Sequence, residues 1–212
     1  EGILSLNPNM IIGSEYMGPP AAIKAISKAE LTLLRLPKAN NEHTLKSNIN
    51  KISASINKMT QAEPLLNHID KKMEILNKLK LPENTSIAFL LQMEGRNLSL
   101  AGTDTSGHDF IALLGGKNLG EHRGYHSVTA ESLINLKPDI IIVASRNMSL
   151  SPIQKLLKQH PLIVHTPAGQ EHKIIAVDGK SLVAGISVAS IDALAQIGQQ
   201  LQRKSQTQSV VN

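Results

Sequence analysis

The chain has 212 residues, a formal net charge of +5 at pH 7 and no cysteine. This length allows one large domain or two small ones, and the absence of cysteine excludes disulfides and thiolate metal sites. The basic residues form no long run, and Phe, Tyr and Trp together make up 2% of the chain. This composition argues against nucleic-acid binding, and no apolar stretch reaches the roughly 18 residues of a membrane span.

The first predicted elements belong to a pattern that occurs twice. The stretch EGILSLNPNMII at residues 1–12 reappears as ESLINLKPDIII at residues 131–142, so that Pro8 corresponds to Pro138. Each copy predicts a short amphipathic helix, a proline that stops it, and a β-branched strand buried on both faces of a parallel sheet. Because solenoid repeats recur every 20–50 residues or so, this wider spacing predicts two lobes of similar plan.

Between the two copies, helices and strands continue to alternate. The patterns predict a helix over 20–29, a strand over 31–37, an amphipathic helix over 42–58 and a helix over 61–80, the last about 30 Å long. We therefore predict a partial N-terminal lobe at 1–60, a long connecting helix at 61–81 and a C-terminal lobe at 82–212.

In the predicted C-terminal lobe, strands are expected at 85–93, near 99, at 139–144, at 162–168 and at 173–179, with helices at 105–116, 151–161 and 187–203. Strands that alternate with helices indicate an α/β fold with parallel sheets. The predicted fold is therefore two Rossmann-like lobes joined by one long helix, with a ligand cleft lined by the carboxyl ends of the strands.

The first lobe is expected to be incomplete at its N-terminal end. In the second copy the repeat follows GEHRGYHSVTA, residues 120–130, and the counterpart of this segment would precede Glu1. We expect a fragment or processed form, with any secretory signal upstream. A natively short first lobe is the alternative.

Four stretches of the chain carry a family likeness: EGILSLNPNMIIGSEYMGPP, SLAGTDTSGHDFIALLGGKN, GYHSVTAESLINLKPDIIIV and HPLIVHTPAGQEHKIIAVDG. Together they resemble the periplasmic haemin-binding proteins of bacterial ABC importers, which belong to the helix-linked group that also binds cobalamin and ferric siderophores. The resemblance implies a periplasmic monomer that does not span the membrane, carries haem as its transported ligand without a catalytic cofactor, and docks on the transmembrane subunits of a permease. Cobalamin or a ferric siderophore is the alternative ligand.

The resemblance also implies where the iron ligand would be. The family's usual ligand is a tyrosine in a G-Y-x-R-x-L-S-A-E-G segment, which would precede the residues that match Glu1 and Gly2. The family's Gly-Pro-Arg near the last helix is replaced here by AGISVAS, residues 184–190. No metal ligand is therefore assigned, and Met93 and Tyr125 are weak candidates, because thioether and phenol groups can bind haem iron.

The candidate ligand-binding residues follow predicted strands or lie in a loop rich in glycine and histidine. They are Glu15, Tyr16, Gln92, Met93, Arg96, Tyr125 and His126. Arginine is included because a guanidinium pairs bidentately with a carboxylate such as a haem propionate. Further residues considered for the cleft are His108, His122, Arg123 and Arg146, and acids considered for permease docking are Glu15, Glu30, Asp178 and Asp192.

Each of these residues also has an ordinary structural interpretation, as a surface charge, a loop residue or a packing residue. An enzyme is not expected, because the chain has no G-x-S-x-G elbow, no Walker loop and no H-E-x-x-H motif.

Overall fold

Parallel strand pairing organises both halves of the chain. The computed structural model describes residues 2–79, 81–82, 84–146 and 151–211, with side chains as far as residue 203. The chain divides into two units, Glu1–Leu66 and Asn67–Asn212. The division into 1–60, 61–81 and 82–212 stays a prediction, but the long helix is present as α3, Met59–Lys78.

In the first unit a parallel pair of strands is accompanied by two helices. Its elements before α3 are β1 (Met10–Ser14), α1 (Pro20–Lys28), β2 (Thr32–Leu36) and α2 (Glu42–Ser55). The helix predicted before β1 is present only as a three-residue 3-10 turn, Leu4–Leu6. It ends because Asn7 turns into the left-handed region at a φ of 47°, where its N–H bonds to the Leu4 carbonyl.

The second unit is built on a six-stranded sheet with the order β6-β4-β3-β7-β8, and β5 pairs with the amino end of β3. Its strands are β3 (Ser86–Gln92), β4 (Ser99–Ala101), β5 (Lys117–Asn118), β6 (Tyr125–Ser127), β7 (Ile140–Ser145) and β8 (Ile174–Asp178). The predicted parallel pairing is confirmed for β3, β7 and β8. The sheet is mixed, however, because β4 runs antiparallel to β3 and β6.

Helices cover both faces of this sheet. They are α4 (Ser106–Leu114), α5 (Ala130–Leu136), α6 (Pro152–Gln159), α7 (Pro167–Gln170) and α8 (Val188–Val211). On one face, Leu90 and Val143 share a buried cluster with Leu133 of α5 and Leu156 of α6. Because successive strand residues point to opposite faces, Phe89 turns the other way and meets Phe110 of α4 edge to face, with ring centroids 5.8 Å apart.

The strand predicted at 162–168 is wrong. This segment forms a 3-10 helix, Pro161–His165, followed by α7. The side chain of Thr166 caps α7 by accepting a hydrogen bond from the Gly169 N–H at 3.0 Å, and Pro167 suits the first helical position. The apolar run that suggested a strand instead packs against the sheet, with Ile163 fully buried.

The sequence repeat is confirmed as a structural repeat, since β1 begins at Met10 and β7 begins 130 residues later at Ile140. The two strands differ in burial. All six residues of β7 are buried, whereas Ile12 is 45% exposed and its counterpart Ile142 is 0% exposed. The same sequence pattern therefore contributes very different amounts of buried apolar surface in the two units.

We expect truncation of Ile142 to destabilise the protein in proportion to the methyl groups removed. Ile142→Val should lower the free energy of unfolding by about 0.5–1.5 kcal/mol and Ile142→Ala by about 2–5 kcal/mol, because a fully buried side chain leaves a cavity. The matched control, Ile12→Ala, should cost about 1 kcal/mol or less. Urea unfolding followed by far-UV circular dichroism measures these values, and equal losses at both positions would contradict the observed burial.

Candidate functional site

The parallel strands of the second unit end together at one edge of the sheet. Gln92 at the end of β3 is paired in register with Ser145 of β7, and Ser145 is paired with Asp178 of β8. Side chains that follow parallel strands at this position form the usual ligand site of open α/β sheets. We call this region the carboxyl edge. It includes three of the predicted site residues, Gln92, Met93 and Arg96.

Gln92 is held inside the protein at this edge. Its side chain is 6% exposed, and its Nε2 donates a hydrogen bond to Oε1 of Gln159, at the end of α6, over 3.2 Å. Its Oε1 is buried without a hydrogen-bond partner among the described residues. Gln92 therefore ties β3 to α6 and retains one acceptor that a ligand or water could use.

A tight turn after β3 sets the position of Met93 and Arg96. The Arg96 N–H donates to the Met93 carbonyl at 3.3 Å, and Gly95 sits at a φ of +68°, which glycine adopts without steric cost. Met93 is half-buried and Arg96 is exposed. In the same turn Glu94 pairs with Lys155 of α6 over 3.4 Å, so the turn carries one paired acid beside Arg96.

A pocket of about 640 Å³ opens beside this turn, within the size range of small-molecule sites. Its floor includes buried Leu98 and Ala130, and polar side chains surround the opening. It is lined by Arg96, Asn97, Leu98, Ser127, Val128, Thr129, Ala130, Glu131, Gln159, His160, Pro161 and Leu162. An apolar floor with a polar rim suits an amphipathic ligand.

The acid in this pocket is held in its ionised form. The backbone N–H of Glu131 itself and the Thr129 hydroxyl donate to its carboxylate and lower the pKa of Glu131 below its usual value, and nearby His160 acts in the same direction. Thr129 also caps α5 by accepting a hydrogen bond from the Ser132 N–H at 3.2 Å. The charge of Glu131 is therefore partly compensated by local hydrogen bonds.

Tyr125 is part of the edge strand β6, and its hydroxyl is anchored to the first turn of α4. The residue is 39% exposed overall, but the Gly107 N–H and the Thr105 hydroxyl lie within hydrogen-bonding reach of its oxygen. Burial of the phenol raises the pKa of Tyr125 above the ordinary 10.0, and the Asp109 carboxylate raises it further, while the two hydrogen bonds lower it by less. The phenolate form that binds ferric iron best is therefore disfavoured.

His126 lies beside Tyr125 in β6 and stacks on His122. The two imidazole rings are 4.1 Å apart between centroids and 15° from parallel, and Nε2 of His122 lies 3.1 Å from the Leu100 carbonyl. Stacked rings direct their nitrogen lone pairs along parallel planes and cannot meet at one ion in this arrangement. Across the described residues, no group of three or more His, Asp and Glu side chains is arranged to hold a metal ion.

Glu15 and Tyr16 lie in the first unit, directly after β1. The Glu15 N–H donates to the Leu36 carbonyl at 2.8 Å, and the Glu15 carbonyl accepts from Arg35. Tyr16 is 78% exposed, and its N–H donates to Oγ of Ser14 at 3.2 Å. Their participation in one ligand site with the residues of the carboxyl edge stays a prediction.

Several further candidates have structural partners. Nδ1 of His108 accepts a hydrogen bond from Asn118 at 3.2 Å, and Arg123 pairs with Asp104 over 2.5 Å. The permease-docking role of the acids also stays a prediction.

Two of those acids already have contacts of their own. Asp192 contacts His68 at 2.8 Å and Lys72 at 3.4 Å, which joins α8 to α3. Oδ1 of Asp178 accepts from the Lys180 N–H at 2.9 Å and so caps a 3-10 turn. Arg146 and Glu30 are exposed.

Three pocket residues were missed by the sequence analysis: Glu131, Gln159 and His160. They come from the ends of α5 and α6, which meet the edge of the sheet only in the folded chain. One signal was present in the sequence, since Thr129 followed by an acid two residues later is typical of a helix start. Nothing local marks Gln159 or His160, because their role depends on contacts with β3.

Comparison with known proteins identifies the family. Residues 1–180 match the model for periplasmic binding proteins. The chain belongs to this periplasmic binding protein family. The predicted α/β fold is confirmed at the same time.

One curated relative is the high-affinity heme uptake system protein IsdE of Staphylococcus aureus strain MRSA252, which is 28% identical over 156 residues. The match covers 70% of this chain and 52% of that protein, so the chain spans about half the length of this relative.

Two solved structures of periplasmic binding proteins are similar to this chain. The periplasmic heme-binding protein HutB of Vibrio cholerae aligns with a TM-score of 0.80 at 28% identity, over 94% of this chain and 79% of HutB. A periplasmic heme-binding protein from Pseudomonas aeruginosa aligns with a TM-score of 0.74 at 26% identity, over 93% of this chain and 73% of that protein. Within the described ranges, no helix combines the length and apolar character needed to cross a bilayer.

We expect the titration of Tyr125 to have a midpoint above pH 10. The folded state holds this phenol proton more tightly than the unfolded chain, so stability should be complete below about pH 10 and fall as the pH rises toward the higher folded pKa. The measurement is the tyrosinate absorbance at 295 nm for the wild type minus that for Tyr125→Phe, together with the pH dependence of unfolding in both proteins. A difference curve centred at or below pH 10 would rule out the anchoring at α4.

Proposed function

We propose that this protein is the periplasmic substrate-binding component of an ABC importer and that its ligand is haem. Family membership supports a binding and transport role in preference to an enzymatic one. The observation that carries the proposal for haem is the similarity, at 26–28% identity, to three proteins that are named for heme binding or heme uptake.

The carboxyl edge of the second unit provides suitable chemistry for part of such a ligand. Haem combines a large apolar ring with two carboxylates, and the pocket combines buried Leu98 and Ala130 with the exposed Arg96. Half-buried Met93 lies beside this pocket as a candidate thioether ligand. The partners of this function are the transmembrane subunits of a permease, with the protein acting as a monomer.

Iron ligation by Tyr125 is not part of this proposal. Ferric haem is bound most tightly by a phenolate, and the raised pKa of Tyr125 opposes loss of its proton. We therefore expect weak binding of haemin by this chain, without the charge-transfer absorption of a tyrosinate complex.

The direct test is titration with haemin, followed by the Soret band in absorbance and by calorimetry. We expect a saturable Soret shift, and calorimetric titrations with cyanocobalamin and a ferric hydroxamate siderophore should show no heat of specific binding. Tyr125→Phe is the matched control and should leave the Soret spectrum of the complex unchanged. Saturable binding of cobalamin or the siderophore without haemin binding would refute the proposal and favour the alternative ligand class. Tight, stoichiometric haemin binding that is lost in Tyr125→Phe would show that the axial-ligand argument is wrong.

A further inference from the structure

The pocket beside the turn after β3 contains an unequal set of charges. Its ionisable lining residues are Arg96, Glu131 and His160. Glu131 already receives hydrogen bonds from its own N–H and from Thr129, and it lies near His160. Among the described residues, Arg96 has neither an ion pair nor a side-chain hydrogen bond.

The neighbouring charges do not provide a partner for Arg96. Glu94, two residues earlier in the turn, pairs with Lys155 on α6 at 3.4 Å. Arg123, which lies before β6 and outside the pocket lining, pairs with Asp104 at 2.5 Å. Arg96 therefore presents five N–H donors at the mouth of a pocket, and a planar guanidinium matches a carboxylate with two parallel hydrogen bonds.

The surroundings of Arg96 favour an amphipathic carboxylate over a small inorganic anion. The pocket holds about 640 Å³, and Leu98 and Ala130 in its floor are 3% and 7% exposed. Ser127 and Asn97 on the rim can donate or accept further hydrogen bonds. A ligand with an apolar body and a carboxylate at one end would satisfy both parts of the pocket.

We propose that Arg96 is a specificity-determining residue that binds a carboxylate of the ligand, and that the pocket at the carboxyl edge of the second unit receives the carboxylate-bearing edge of a tetrapyrrole. This inference rests on the proposed function. Glu131 works against it, since an ionised acid in the same pocket repels an anionic ligand. Arg96 and Glu131 thus set the affinity for a carboxylate in opposite directions.

The test compares haemin with iron protoporphyrin IX dimethyl ester, which keeps the ring and the iron but has no free carboxylate. Arg96→Ala should weaken haemin binding by about tenfold to a hundredfold, the range for loss of a charge-assisted hydrogen bond, and should leave binding of the ester unchanged. Glu131→Gln should strengthen haemin binding a few-fold, again without effect on the ester. Arg123→Ala is the matched control for loss of one positive charge and should change neither affinity.

The outcomes separate the two proposals. If the wild type binds neither haemin nor the ester, the proposed function fails. If the wild type binds both and Arg96→Ala binds haemin as the wild type does, the function stands and the role of Arg96 is overturned. Equal weakening by Arg96→Ala and Arg123→Ala would also overturn it, because the effect would then come from net charge. Circular dichroism melting of each variant establishes that the exposed substitutions leave the fold intact.

Discussion

The parallel pairing of β3 with β7 is the constraint on which the rest of the second unit depends. Every residue of β7 is buried, so this strand must be covered on both faces and flanked on both edges. The pairing places Gln92 opposite Ser145 and, through β8, in line with Asp178. As a result the segments that leave these strands emerge at one edge of the sheet, where a pocket can form from residues far apart in the sequence.

The polar contacts at this edge divide into those that hold the structure and those left for a ligand. Gln92 is buried against Gln159, and the phenol of Tyr125 is anchored at the first turn of α4. Arg96 sits on a short turn that the left-handed Gly95 permits. A rigid scaffold with a few exposed donors at the strand ends is a common arrangement in small-molecule sites, because the scaffold fixes the donors before the ligand arrives.

Local and repeated patterns in the sequence predicted much of this fold. The Pro8 and Pro138 repeat predicted β1 and β7, and Ser151 followed by Pro152 predicted the start of α6, where the Ser151 side chain indeed accepts from the Gln154 N–H. The strand expected at 162–168 failed because an apolar run has no periodicity that separates a strand from a buried 3-10 turn. Among site residues, Arg96 could be selected from its position after a strand. Gln159 and His160 could not, since their place in the pocket follows from the packing of α6 on the sheet.

The central claim is that a tetrapyrrole binds at the carboxyl edge of the second unit. The most direct measurement is a map of backbone amide shifts by NMR during titration with gallium protoporphyrin IX, a diamagnetic substitute for ferric haem. The account predicts the largest shifts in the turn after β3 and around Ser127, Ala130 and His160, which line one pocket. Shifts confined to the α3 and α8 contact around Asp192, or saturable binding that leaves the pocket residues unmoved, would contradict it.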